Sequence, residues 1–371
     1  MAGKNTILDK LTVLSALAAA CLALSGCFRI ETDTVYTPIG FRSYAATSGS
    51  EELASRADGS FIAPGRTVLP DSSSFGVFAF YQEGVIGSGT PAVWTDGGWK
   101  PEYMFNQKVD FDGAAYDYDP LRYWPANDEN RISFWAYYPY EAYAADNSGD
   151  LKFFESDGTT PYSKSSVGLP KAGYTVSTDP ALQRDLLFDS FTNTDKTYDN
   201  CSPTPGTVPM KFRHALALVE FQIAEGNEAN VTNFEITGLY WSGKCADVSA
   251  SPLVWTDQSS VAPYTVSGLS VTDGTVCSLL MIPQTLSASA RLSINFDILY
   301  PSAVPELYPD PITYSGNTGS ELLSAAGIPA WEAGHHYIYK IRAGFERIEF
   351  EEVVDSTDDW TVGNDNIAVS D

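Results

Sequence analysis

Positive charge, histidine and cysteine are all scarce in this sequence, and each scarcity closes off a class of function. Only 22 lysines and arginines stand against 47 acidic residues, a formal net charge of −25 over 371 residues. Such a chain repels nucleic acid and anionic lipid and stays soluble when crowded. No Gly-rich phosphate loop and no basic patch interleaved with aromatics occurs, so nucleotide and nucleic-acid roles are set aside. There are three histidines, His214, His335 and His336. The adjacent pair falls where a strand is expected, and neighbours on a strand point to opposite faces and cannot easily hold one ion. His214 has no serine or cysteine nucleophile motif near it, so a catalytic triad has no support. Asp117, Asp119, Asp128 and Glu129 sit among aromatics but lack the spacing of a calcium loop. In so acidic a chain their proximity is what chance provides, and it does not make a glycosidase pair. The residues predict a protein that is not an enzyme and holds neither metal nor cofactor.

Long apolar runs are equally sparse. The one present, Leu11 to Leu24, follows Lys4 and Lys10, is too short to span a bilayer and suits a signal peptide. It ends in Leu24-Ser25-Gly26-Cys27, which resembles a lipobox: small residues let the backbone enter the signal peptidase, and the Cys27 thiol takes up diacylglycerol. Residues 1–26 are therefore the expected leader and Cys27 the expected lipidation site. Phe28 rather than an aspartate follows, so nothing argues for retention in the inner membrane, and a lipid anchor in the outer membrane is expected. The leader's Lys4, Lys10 and Asp9 together carry +1, so the chain without it carries −26. Of five cysteines, Cys21 leaves with the leader and Cys27 is lipidated, leaving Cys201, Cys245 and Cys277. Three is odd and no CxxC pair occurs, so neither a zinc site nor a disulfide framework is indicated. One bridge and three buried thiols both remain open.

What is abundant points to strands. Aromatics make up 13% of the chain, with 29 Gly and 22 Pro, a composition for β structure with many turns. A short alternating piece, Tyr36 to Tyr44, precedes a Ser/Gly/Glu-rich linker from Ala45 to Ser60, and Arg42, Arg56 and Arg66 punctuate this region. Phe75 to Tyr81 and Arg131 to Tyr140 are dense aromatic and β-branched runs. Asp96-Gly97-Gly98 signals a hairpin. Val219, Phe221 and Ile223 alternate with Glu220, Gln222 and Ala224, and Leu292, Ile294, Phe296 and Ile298 with Ser293, Asn295 and Asp297. Period two puts one face in a core and the other toward water, as in an antiparallel sandwich. Helical spacing is missing, and only Ser320 to Ala326 suggests a turn or two. Trp94, Trp99, Tyr123, Trp124, Trp135 and Tyr137 to Tyr140 would admit a sugar-stacking platform if exposed, but on alternating strands most belong in a core. Asn200 to Pro209 marks the expected boundary between two all-β halves. The divisions are residues 27–56 (an N-terminal strand and linker), 57–205 and 206–371.

Four ordered segments resemble the fimbrillin family, the type V pilins made as lipoprotein precursors by Gram-negative anaerobes. They are Phe75 to Tyr81; Tyr123-Trp124-Pro125 with Phe134 to Tyr140; Arg184 to Leu187 with Val208 to Ile223; and Ile282-Pro283-Gln284 with Trp331 to His335 and the strand through Ile341. The resemblance implies two tandem transthyretin-like β-sandwich domains. It also implies an arginine-directed protease that removes the N-terminal strand, so that the vacated groove accepts a strand from a neighbouring subunit. Arg56 is the expected cut, because small, turn-prone residues follow it; Arg66 and then Arg42 are the alternatives. The expected donor positions are Ile348 and Phe350, with Ile367 and Val369 as a second stretch. The family reading is a fimbrial subunit at the cell surface, with other fimbrillins as partners. The alternative is a non-polymerising surface lipoprotein or tip adhesin that binds a glycan or host protein.

Overall fold

Period-two alternation becomes strand almost wherever it occurs. The computed structural model describes residues 36–45, 69, 72–83, 99–127, 129–142, 148–300, 312–345 and 347–356. Cys27, Arg56, Arg66, Ile367, Val369 and the Asp96-Gly97-Gly98 turn lie outside the described residues. In chain order the first ten strands are β1 (Gly40–Ala45), β2 (Ser73–Gln82), β3 (Met104–Phe111), β4 (Tyr116–Asp117), β5 (Arg131–Tyr138), β6 (Leu151–Phe154), β7 (Lys171–Thr175), β8 (Leu187–Asp189), β9 (Thr207–His214) and β10 (Ala217–Ile223). Then come β11 (Ala229–Thr237), β12 (Tyr240–Cys245), β13 (Trp255–Val261), β14 (Tyr264–Val271), β15 (Gly274–Met281), β16 (Gln284–Thr285), β17 (Arg291–Tyr300), β18 (Ile312–Leu322), β19 (Ala330–Trp331), β20 (His336–Gly344) and β21 (Arg347–Ser356). Two 3-10 turns, Pro180–Leu182 and Leu323–Ala326, are the helical elements among the described residues, so the chain is all-β as expected.

The strands form a seven-stranded sheet, β1-β9-β8-β5-β2-β3-β4, and three four-stranded sheets, β15-β10-β20-β21, β14-β11-β17-β18 and β13-β12-β7-β6; β16 and β19 make a short pair. β2 and β5 are antiparallel neighbours in the middle of the large sheet, and their unbroken apolar runs are explained by cores on both faces. Phe75, Val77 and Ala79 join Phe134, Ala136 and Tyr138 in one core with Ile39, Phe41 and Phe212. Phe78, Phe80, Trp135 and Tyr137 face a second core that continues through Leu218, Phe221, Ile294 and Tyr339. Phe78 lies opposite Trp135 in the ladder with the rings stacked at 5.7 Å. Burial of each such side chain contributes roughly 1.5–3 kcal/mol.

The organisation differs from the sequence reading in two places. The division at 205/206 falls before β9, yet β9 pairs with β1 and β8 in the seven-stranded sheet, so that sheet runs through His214. Likewise β6 and β7, placed in the first half, join β12 in a sheet with strands of the second half. Proline and glycine punctuate the chain locally, whereas sheet membership is decided by which edge a strand meets. A third correction concerns β10. Leu292, Ile294, Phe296 and Ile298 of β17 face inward with Ser293, Asn295 and Asp297 outward, as alternation demands. In β10, Glu220 is buried too, against Thr275 of β15 and His336 of β20, and so is Ala224 just beyond the strand.

Candidate functional site

β1 is the least ordinary element of the large sheet. It runs parallel to β9, with Gly40 opposite Thr207 and Ala45 opposite Phe212, and the amide of Gly40 donates to the carbonyl of Gly206 at 2.9 Å. The same carbonyl accepts from the indole Nε1 of Trp124 at 3.0 Å. Gly206 takes a left-handed φ of +74°, and a Cβ there would lie 2.5 Å from the Tyr198 ring, so only glycine turns the chain this way.

On its other flank β1 meets side chains and a loop rather than a full ladder. Pro38 forms an isolated bridge with Tyr123. The Ile39 amide donates to the Arg122 carbonyl at 2.9 Å, and the Tyr118 hydroxyl donates to the Ile39 carbonyl at 2.9 Å. Further along, Ser43 Oγ and the Tyr116 hydroxyl are 2.6 Å apart. Burial pushes the Tyr118 hydroxyl up to about 12, partly offset by its hydrogen bond with the Arg122 backbone, so it stays a donor. Two tyrosines thus tie β1 toward β4 where backbone pairing stops.

Period two then sorts the strand. Ile39, Phe41 and Ser43 are buried, while Arg42 points to solvent. Phe41 sits in an aromatic box, edge-on to Phe75 at 6.1 Å, Tyr118 at 5.4 Å and Phe134 at 6.0 Å, geometry favoured by the ring quadrupoles. A six-residue strand therefore fills a groove whose walls include Phe75 and Phe212, 34 and 171 residues beyond Phe41.

The other sequence-predicted positions scatter. Ile348 and Phe350 lie in β21, paired antiparallel with β20. Ile348 is buried and Phe350 is edge-on to Tyr339 at 5.1 Å, so this stretch already completes its own sheet. The break in its alternation is a β-bulge at Glu351, opposite Lys340 and Ile341. The histidines lie beside three separate carboxylates: His214 beside Asp185 at 2.8 Å, His335 beside Asp355 at 2.7 Å, and His336 beside Glu220 at 3.2 Å. Among the described residues no group of ligands suited to a metal occurs. Trp99, Trp124, Trp135, Tyr137 and Tyr138 are buried, which removes them from any sugar-stacking face; Tyr123 is exposed. Cys201, Cys245 and Cys277 are free and buried.

Sequence reasoning marked the alternation that seats β1 but missed Tyr116, Tyr118 and Glu220. A polar residue inside an apolar ladder, such as Glu220 between Val219 and Phe221, was the one signal available for the last. Nothing local distinguishes Tyr116 and Tyr118 from other turn tyrosines.

Comparison with known proteins agrees with this architecture. A family model described as fimbrillin-like matches residues 70–360. The fimbrium subunit Fim1C of Phocaeicola vulgatus is 28% identical over 215 residues, 55% of this chain and 48% of that protein, so the chain spans about half the length of the curated relative it matches. The crystal structure of a fimbrial protein from Bacteroides vulgatus ATCC 8482 is similar with a TM-score of 0.56 at 21% identity, over 86% of this chain and 98% of that one, which shows a shared fold.

Proposed function

The chain belongs to the fimbrillin-like family, and from that premise we propose that it is a structural subunit of a surface fimbrium, assembled by exchange of its first strand. Export follows the leader of residues 1–26, with Cys27 as the lipidated residue and the outer membrane as the first station. Cleavage after Arg56, or failing that Arg66, separates β1 from the rest of the chain; a cut at Arg42 would fall within β1 itself. The subunit acts by assembly with other fimbrillins and not by catalysis.

The observation that carries this reading is the seating of β1. It is a short edge strand that forms a ladder with β9, and with the residue just before it buries two apolar side chains, Ile39 and Phe41. Its removal would bare two apolar sockets and the β9 edge, and unpaired edges with exposed core recruit another strand. Refilling the two sockets contributes roughly 1.5–3 kcal/mol each. Because β21 is committed to β20, the donor falls to the second expected stretch, Ile367 and Val369.

The test is assembly in vitro. Arginine-specific cleavage of the full chain should yield SDS-resistant, heat-sensitive multimers whose subunits begin after Arg56, and deletion of residues 357–371 should leave a folded monomer that no longer extends. Multimers formed equally by the truncated, cleaved chain would place the donor elsewhere. Replacing Cys27→Ser should abolish metabolic lipid labelling; unchanged labelling would refute the anchor.

A further inference from the structure

The geometry points to the β1 groove as a three-socket specificity site in which Tyr116 dictates the third inward residue of any strand seated there. The inference rests on the exchange reading and adds which strands the groove admits. We propose that it selects a strand of the form large aliphatic, glycine or alanine, aromatic, any residue, small hydroxyl.

The first socket holds Ile39, whose amide donates to the Arg122 carbonyl and whose carbonyl accepts from the Tyr118 hydroxyl. The second is the box of Phe75, Tyr118 and Phe134 around Phe41, which a smaller side chain would leave partly empty. Between them Gly40 passes close to β9, where an added Cβ would lie 3.1 Å from Thr207 Oγ1. That spacing tolerates little beyond alanine.

The third socket is closed by the Tyr116 ring, which packs against two aromatic neighbours. Ser43 is 1% exposed and within 2.6 Å of the Tyr116 hydroxyl. The Tyr116 ring stacks on Phe111 at 4.6 Å and is edge-on to Phe75 at 5.9 Å. Phe75 is itself a wall of the Phe41 box, so displacing Tyr116 disturbs the second socket as well. A side chain larger than serine meets this ring, and an apolar one forfeits the hydrogen bond between position 43 and the Tyr116 hydroxyl. Arg42, between the second and third sockets, is exposed and unconstrained.

The chain's own tail fits this pattern imperfectly. Ile367-Ala368-Val369-Ser370-Asp371 offers an aliphatic and an alanine, but it would put valine in the aromatic box and a carboxylate against Tyr116. Reversing the direction still places an aliphatic residue in the box.

The test uses the full chain with a sequence-specific protease site introduced between residues 50 and 60. After cleavage, β1 is displaced by excess fluorescent peptide and binding is read by anisotropy. Three peptides are compared: residues 37–46, the same with Ser43→Leu, and residues 362–371. The first should bind at least about tenfold more tightly than either of the others. In a Tyr116→Ala chain the gap between the serine and leucine peptides should shrink to less than about threefold. In a Tyr116→Phe chain, which keeps the ring, the serine peptide should weaken several-fold and the leucine peptide should not change. Equal binding of all three peptides to the unaltered groove, or a tail peptide as tight as β1, overturns the socket rule and leaves strand exchange standing. Failure of every peptide, the native one included, overturns both.

Discussion

The hydroxyl of Tyr118 donates to the carbonyl oxygen of Ile39, 79 residues earlier in the chain, across 2.9 Å. A side chain thereby does what a neighbouring strand would do elsewhere in the sheet, and it holds the start of β1 against the loop that follows β4. Replacing Tyr118→Phe keeps the ring beside Phe41 and removes the clamp. Loss of one hydrogen bond of this kind should cost about 0.5–1.5 kcal/mol. Hydrogen exchange at residues 39–41 should accelerate while the β2–β5 ladder stays protected; unchanged exchange would show that the clamp does not hold β1.

Phe41 and Arg42 are adjacent in sequence and opposite in consequence. Phe41→Ala empties the aromatic box and should destabilise the chain by about 3–5 kcal/mol. Arg42→Ala changes an exposed side chain and should stay within about 0.5 kcal/mol. Urea denaturation of the two variants separates them, and similar midpoints would mean that β1 is not seated as described.

Glu220 and His336 form a buried pair between β10 and β20. Burial alone would raise the Glu220 carboxyl, but donation from His336, Gln222 and Thr275 outweighs it and holds the group below its ordinary 4.5. A carboxyl depressed on folding contributes stability above its unfolded value, and that contribution is lost as pH falls through the lower folded value. Thermal midpoints should therefore drop below about pH 4.5 more steeply in the unaltered chain than in Glu220→Gln. At neutral pH Glu220→Ala takes the carboxylate from Gln222, Thr275 and His336 and should cost about 1–3 kcal/mol. Parallel acid slopes for the unaltered chain and Glu220→Gln would contradict this account.

Cys201, Cys245 and Cys277 are buried thiols in three different places, and burial pushes them up to about 11, 12 and 12. A thiol so raised holds almost no thiolate at pH 8, and the thiolate is the reacting form. Iodoacetamide at pH 8 should leave all three unmodified in the native protein and alkylate all three in denaturant without prior reduction. Mass spectrometry of the digested protein gives the answer residue by residue, and a peptide alkylated only after reduction would reveal a bridge.

Much of this was legible because alternation is a local property. Leu292, Ile294, Phe296 and Ile298 announce their buried face within seven residues, and Ile39, Phe41 and Ser43 do so within five. The scarcity of histidine was equally plain. Division into halves was harder. Asn200 to Pro209 looks like a boundary because proline and glycine punctuate any chain, and nothing in those ten residues reveals that β9 will turn back to β8 and receive β1.

By itself, then, the sequence determined an acidic, all-β chain with alternating strands, and its four ordered segments placed it with the fimbrillins. Only the tertiary structure decided where strands pair: that Glu220 faces His336 rather than water, that Ile348 and Phe350 are spent in their own sheet, and that Tyr116 and Tyr118 close a groove around a strand some 75 residues upstream. The reason is physical. Burial periodicity is set by the backbone geometry of one strand, whereas pairing is a choice among many compatible edges, settled by the packing of side chains far apart in the chain.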